Sequence, residues 1–324
     1  MEEAEIPLDK DFHKDERLFH YTSAEGLYGI LDSECLWATH FKFLNDSSEF
    51  FAARKWLLDF VHRAIHKKVI ALKVNGNIKF EEGTDVKALC LHEAEVIVDA
   101  FYTTTLKLAS PFIFSSFVSS PPEKSFRNGE LLHWATYGRN GGYAIEMNPH
   151  KLALLTNEEW DAGGVSLLSQ RAIYLEDDTP KALRDDFEIF GTVAQQMVVG
   201  RLAENFDHVE IDKAAQPFMR LASVIKDEYF KNEGEARLVA MRYRAEVGGR
   251  VSPKICVRQS ASGAIPYIKL FEGRLFGKNC PIEAIIIGPH PNRERRAEAL
   301  SILLESRGWA AIKVIPSEVP YLGA

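Results

Sequence analysis

LFHYTSAEGLYGILDSECLWATHFKFLND, residues 18–46, is the stretch on which the reading of this chain turns. LFHYT (18–22) alternates apolar and polar residues with the two-residue period of a strand. Ser23 is a strong helix N-cap, and behind it Leu27, Ile30 and Leu31 recur at helical spacing, so a helix is predicted over 23–34. CLWATHF (35–41) predicts a second strand, and Asn45-Asp46-Ser47 offers a cap for a helix beginning near Glu49. Successive strand side chains point to opposite faces, so His20 and Thr22 share a face and Tyr21 takes the other.

Working outward, the helix from Glu49 gives way to a turn-rich NGNIKFEEGT (75–84), and residues 85–109 are again helical by spacing. PFIFSSFVSS (111–120) is a strand, LLHWATYG (131–138) a short helix closed by Gly138, and NGGYAIEMNP (140–149) a turn entering another strand. VSLLSQRAIYLED (165–177) predicts one more strand, and 180–230 two long helices. EARLVAMRYR (235–244), KICVRQS, AIPYIKLFE and IEAIIIGP (282–289) read as strands, NRERRAEALSILLESRG (292–308) as an amphipathic helix, and AAIKVIPS (310–317) as a last strand. Strands spread throughout, with helices grouped between them, predict an α+β fold: a mostly antiparallel sheet with helical insertions near 50–110 and 180–230. Residues 1–17 read as a flexible acidic lead, and 18–324 as a single elaborated domain.

Composition narrows the function classes. Hydrophobic residues make up 46% and charged residues 26% of the 324, ordinary globular values that allow a sizeable core. A formal net charge of −7 argues against broad binding to nucleic acid or anionic lipid. Arg237, Arg242, Arg244, Arg250 and Lys254 form a local basic stretch, either a phosphate-facing surface or solvated strand residues. Cys35, Cys90, Cys256 and Cys280 form no C-x-x-C pair, a pattern expected of reduced thiols in a cytoplasmic protein. The start of the chain lacks a secretory signal, and no run reaches membrane-spanning length. There is no P-loop, no G-x-G-x-x-G after a strand, no H-E-x-x-H and no G-x-S-x-G. His62 and His66 at i, i+4 lack a third ligand, so no metal site is expected.

Four constellations remain as candidates. His20 and Thr22 can present an imidazole and a hydroxyl to one ligand, or serve as a satisfied core histidine beside a strand threonine. Glu233 and Glu235, at i and i+2 before a strand, place two carboxylates on one face. Such a pair can stabilise an oxocarbenium-like centre through a ribose hydroxyl, or form a solvated acidic turn paired with Arg237 or Lys231. Ser116, Trp134 and Tyr137 can line an aromatic slot, or simply pack. Asn45 reads as a helix cap or as a ligand-facing amide.

The order H-Y-T, G-L-x-x-I-L, L-W-A-T, L-N-D-x-x-E resembles the opening of a large family of uncharacterised bacterial proteins. FIFSSFVSS with LLHWATYGRNGGYAIEM, then KDEYFKNEGEARLV, and IIIGPHP through the final S-x-x-P-Y extend the resemblance over about residues 18–321. That family is similar to the ADP-ribosyltransferase superfamily, whose core is a split, mostly antiparallel β-sheet. The H-x-T opening also resembles DNA-modifying ADP-ribosyltransferase toxins and RNA 2′-phosphotransferases. The resemblance implies that His20 and Thr22 hold the nicotinamide-ribose part of NAD and that Tyr137, in preference to Trp134 or Tyr21, stacks on the nicotinamide. It also implies that Glu235 supports the chemistry, with Glu233 completing an E-x-E pair. It implies a glycosyltransferase-class enzyme that uses NAD as substrate and passes ADP-ribose to a protein or nucleic-acid acceptor, in bacterial defence or toxin action. An NAD glycohydrolase and a non-catalytic nucleotide- or nucleic-acid-binding sensor on the same fold remain as alternatives. No R-S-E pattern is present: the first strand carries His20 where an Arg would stand.

Overall fold

The computed structural model describes residues 12–44, 49–119, 128–138, 141–162, 165–174, 183–202, 211–243, 252–260 and 263–320. The opening segment folds as its pattern dictates: β1 (Arg17–Thr22), α1 (Ala24–Ser33) and β2 (Leu36–His40). The Ser23 side chain accepts from the Gly26 amide at the helix start, satisfying one of the unpaired amides there, and Leu27, Ile30 and Leu31 are buried. Asn45 and Asp46 lie outside the described residues.

The remaining strands are β3 (Ala109–Ser119), β4 (Tyr143–Met147), β5 (Ser166–Arg171), β6 (Ile173–Tyr174), β7 (Ile225–Lys226), β8 (Glu235–Tyr243), β9 (Cys256–Ser260), β10 (Gly263–Leu270), β11 (Ile282–Ile287) and β12 (Lys313–Pro316). The helices are α2 (Glu49–Val74), α3 (Val86–Leu108), α4 (Leu131–Thr136), α5 (Pro149–Asp161), α6 (Arg184–Leu202), α7 (Asp212–Val224) and α8 (Arg293–Ser306). Ten strands form one sheet in the order β12-β11-β4-β1-β3-β2-β10-β9, with β8 and β5 continuing from β3. It is antiparallel except for β11 and β12, which run parallel with α8 between them in the chain. β6 and β7 make a separate two-stranded parallel piece. The architecture is therefore mixed α and β on a largely antiparallel open sheet.

The sheet forks at β3. On one edge β8 pairs with β3 from Ala109↔Tyr243 to Phe117↔Glu235. The other edge is shared. β1 pairs there at Arg17↔Ser119 through Phe19↔Phe117, and β2 at Thr39↔Ile113 and His40↔Phe112. Between these contacts β1 departs to pair with β4 and β2 departs to pair with β10. Among the described residues, Phe114 to Ser116 have no strand partner on that edge.

Two cores cover the two faces of the sheet. Phe112, Phe114, Leu238 and Ala240 join Leu27, Leu31, Leu155 and Leu300 on one side. Ile113 and Val239, one residue out of phase, join Leu57, Ile65, Ile97, Phe190 and Phe218 from α2, α3, α6 and α7 on the other. The two helical insertions thus exist to bury one face of β3 and β8. A third, smaller cluster holds Phe19, Tyr21, Phe117, Trp134, Ala144 and Ile286.

Several expectations need correction. The lead is not loose as far as residue 17: Phe12 and Glu16 are buried, Phe12 lies in the first core, and Glu16 is ion-paired with Arg171. Residues 165–177 do not form one strand, because the chain leaves the large sheet after Arg171 and β6 pairs elsewhere. Helix α5 was not anticipated, although Asn148 caps it and Pro149 opens it, a common helix-start pattern. Arg237 is buried and belongs to no surface patch, while Arg244 and Arg250 lie outside the described residues.

β1 and the loop before β4 approach so closely that only glycine fits between them. A Cβ on Gly142 would lie 2.5 Å from the Thr22 carbonyl oxygen and 2.7 Å from Gly138 Cα, both backbone atoms that cannot step aside. Gly142→Ala is expected to lower stability by about 1–3 kcal/mol in urea unfolding, the usual penalty of overpacking. An unchanged midpoint would contradict the packing described.

Candidate functional site

Where β1 and β2 part, a cavity of about 490 Å³ opens, within the size range of small-molecule sites. One wall is His20, Thr22 and the first turn of α1; the other is Trp37 and Thr39 of β2 with Arg258 and Ile265 of β9 and β10. Phe114 and Ser115 of β3, with Tyr137, Lys226 and Glu235, close the inner end.

The fork leaves the Ser115 carbonyl without a ladder partner on that edge, and a buried carbonyl must be paired. His20 Nδ1 lies 2.8 Å from it. A carbonyl only accepts, so Nδ1 carries the proton, and Nε2 of the neutral ring is left as an acceptor. The ring also stacks on Phe114 at 4.3 Å. Desolvation lowers the His20 pKa to about 4, with the Ser115 bond opposing and the charge of Arg258 adding to the effect, so the imidazole is neutral at pH 7. Thr22 lies beside it against α1. A Cβ on Gly26 would fall 2.1 Å from Thr22 Oγ1, so glycine at 26 makes room for that hydroxyl.

The acidic pair sits at the end of a 3-10 turn (Glu228–Glu233). Gly234 closes the turn at φ 57°, a left-handed conformation that suits glycine, and Glu235 begins β8. Glu235 is only 4% exposed. Its carboxylate accepts from Arg237 Nε and Nη2 at 3.0 Å each, from Lys226 Nζ at 2.9 Å, and from the Ser115 side chain. Burial pushes its pKa up, but Arg237, Lys226 and these hydrogen bonds outweigh burial and hold it at about 2. Lys226 also donates to Glu233 at 2.7 Å, and Glu233 in turn accepts from the Tyr137 hydroxyl at 3.2 Å. Two carboxylates and two cations therefore form one neutral network, buried except at Glu233, with Lys226 as the bridge.

The structure brings His20, Thr22, Tyr137 and Glu235 to one cavity. Glu233 does not line it but orders Tyr137 and Lys226, which do. Ser116 is misassigned: its buried hydroxyl donates to the Ala236 carbonyl at 3.3 Å, and the neighbouring Ser115 faces the site. Trp134 is a packing residue, with its indole N–H on the Asn128 carbonyl and its ring 4.8 Å from Tyr21. Tyr21 is buried and its hydroxyl accepts from the Glu130 amide, so it belongs mainly to the core. Asn45 lies outside the described residues. The sequence reading missed Lys226 and Arg258. Among the described residues no three His, Cys, Asp or Glu side chains converge as metal ligands, and no helix is long and apolar enough to cross a membrane.

Two outcomes follow from these ionisations. The folded His20 pKa lies below its unfolded value of 6.5, so its contribution to stability is full above pH 6.5 and lost as pH falls towards 4. Glu235 acts alike at lower pH, between its ordinary value of 4.5 and about 2. His20→Gln should flatten the fall in melting temperature between pH 6.5 and 4; an identical fall in the variant would refute the assignment. Lys226→Met strands the buried Glu235 and the half-buried Glu233 without their shared cation and should destabilise the fold by about 3 kcal/mol. A loss under 1 kcal/mol by denaturant titration would contradict the network.

Compared with known proteins, the chain matches no family model, no curated protein and no solved structure.

Proposed function

We propose that the chain binds NAD at the fork and transfers ADP-ribose from it to a macromolecular acceptor. One observation carries the reading: His20 and Glu235, distant in sequence, line one cavity, with Thr22 and Tyr137 between or beside them. In this reading His20 Nε2 and the Thr22 hydroxyl hold the nicotinamide ribose, and the Tyr137 ring stacks on the nicotinamide. The bond between ribose C1′ and the nicotinamide nitrogen breaks, and its electron pair leaves with neutral nicotinamide. Glu235, ionised at every physiological pH, stabilises the positive charge growing on the ribosyl carbon. The acceptor then attacks C1′ and passes its proton to solvent, while Glu233, behind the cavity wall, holds Tyr137 and Lys226 in place. When water is the acceptor the product is free ADP-ribose.

A second reading, a cleft that binds nucleotide without turnover, is favoured by one feature. The carboxylate of Glu235 offers about four lone-pair sites, and four donors already occupy them. Catalysis requires a ribose hydroxyl to displace one of them, and the Ser115 hydroxyl, a neutral donor that rotates freely, is the group that yields.

Incubation with NAD labelled in the adenylate part, followed by separate counting of protein, nucleic acid, free ADP-ribose and nicotinamide, tests the proposal. Glu235→Gln should slow nicotinamide release at least about 10²-fold while changing NAD affinity far less, because the contact tightens in the transition state. Release at the wild-type rate in that variant would overturn the catalytic reading. NAD binding by calorimetry without any release would favour the second.

A further inference from the structure

We propose that Arg258 makes the β2 side of the cavity a phosphate-binding subsite, which selects phosphorylated ligands over their unphosphorylated counterparts. Of the cations that line the cavity, Lys226 is neutralised by Glu233 at 2.7 Å and Glu235 at 2.9 Å. Arg258 is placed differently. Among the described residues no carboxylate oxygen lies within 4.0 Å of it, and only one of its N–H donors has an acceptor, the Thr39 hydroxyl at 3.1 Å. That bond and the Trp37 ring, 5.9 Å away, fix the direction of the guanidinium across β10. The Tyr267 hydroxyl and Glu25, which lines the cavity from the exposed start of α1, act on Arg258 electrostatically, but Glu25 lies beyond ion-pair distance.

A half-buried guanidinium without a counter-charge is an unfavourable arrangement for the empty protein, and an anionic ligand relieves it. The planar fork with its remaining donors suits a phosphate, which it can engage with two parallel hydrogen bonds. His20 and Arg258 line the same cavity, so one ligand can touch both. The inner end of the cavity carries no net charge, because Glu233, Glu235, Lys226 and Arg237 cancel. Anion selectivity therefore comes from the β2 side alone. The subsite deepens the NAD reading and rests on it only for placing the phosphate next to a ribose.

The test compares ADP, adenosine and inorganic pyrophosphate in calorimetric titrations of the wild type, Arg258→Met and Thr39→Val. Arg258 lies on an edge strand and is half-buried, so its replacement is tolerated by the fold, which urea unfolding checks. The wild type should bind ADP at least tenfold more tightly than adenosine. Arg258→Met should erase that preference, and Thr39→Val, which keeps the charge but frees its direction, should reduce it several-fold. Equal affinity for ADP and adenosine in the wild type, or an intact preference in Arg258→Met, overturns the subsite. The preference without NAD turnover upholds the subsite while the transferase reading fails. NAD turnover with an unchanged KM for NAD in Arg258→Met does the reverse.

Discussion

One edge of β3 is asked to serve two strands, and the rest of the site follows from that. β1 and β2 each pair with only part of it and then diverge, which leaves a short length of backbone at Phe114 to Ser116 open on that side. A gap in the middle of a sheet exposes peptide groups that cannot remain unpaired once buried. His20 answers that demand by donating to the Ser115 carbonyl, and in doing so takes a defined tautomer and orientation. The gap becomes a cavity with a polar, ordered wall instead of collapsing.

The opposite face of the same strand meets a different demand. Ser115 pairs in register with Arg237, and Phe117 with Glu235, so an ion pair enters a sheet face that helices otherwise cover with hydrocarbon. Charges removed from water persist only when closely paired and fully hydrogen-bonded. Here Arg237, Lys226 and Ser115 surround Glu235, and Lys226 extends the network to Glu233 and Tyr137. The arrangement keeps a carboxylate ionised next to a cavity, an electrostatic element set before any ligand arrives. The separate β6–β7 piece ends with Lys226 and so delivers the bridging cation.

Much of this was legible in the residues, and the failures have physical causes. Ser23 with its helical apolar run, and the alternation around His20 and Thr22, mark β1 and α1: α1 turns Leu27, Ile30 and Leu31 to the first core, and β1 sends Leu18 there and Phe19 and Tyr21 to the small third cluster. β3 was recognised as a strand, but its phase was not. Phe112 and Phe114 feed one core and Ile113 the other, so both faces are apolar and hydrophobicity carries no period of two. The run itself therefore gives no means of telling Ser116 from Ser115 as the serine that faces the cavity. Lys226 lies in a two-residue strand, too short for any periodicity, and Arg258 reaches the cavity from an edge strand whose place in the sheet depends on non-local pairing. The burial of Arg237 is likewise invisible, since its guanidinium donates to Glu235 two residues back and to the carbonyl of Ser223, far off in α7.

The central claim is that the imidazole at the fork is a neutral, Nδ1-protonated ring whose other nitrogen meets the ligand. Nitrogen-15 chemical shifts of the His20 side chain at pH 7, recorded with and without saturating NAD, measure both halves at once. The account predicts a protonated Nδ1 that barely moves and a Nε2 signal that shifts when NAD is added. A doubly protonated ring, or a Nε2 signal indifferent to NAD that is demonstrably bound, would contradict it.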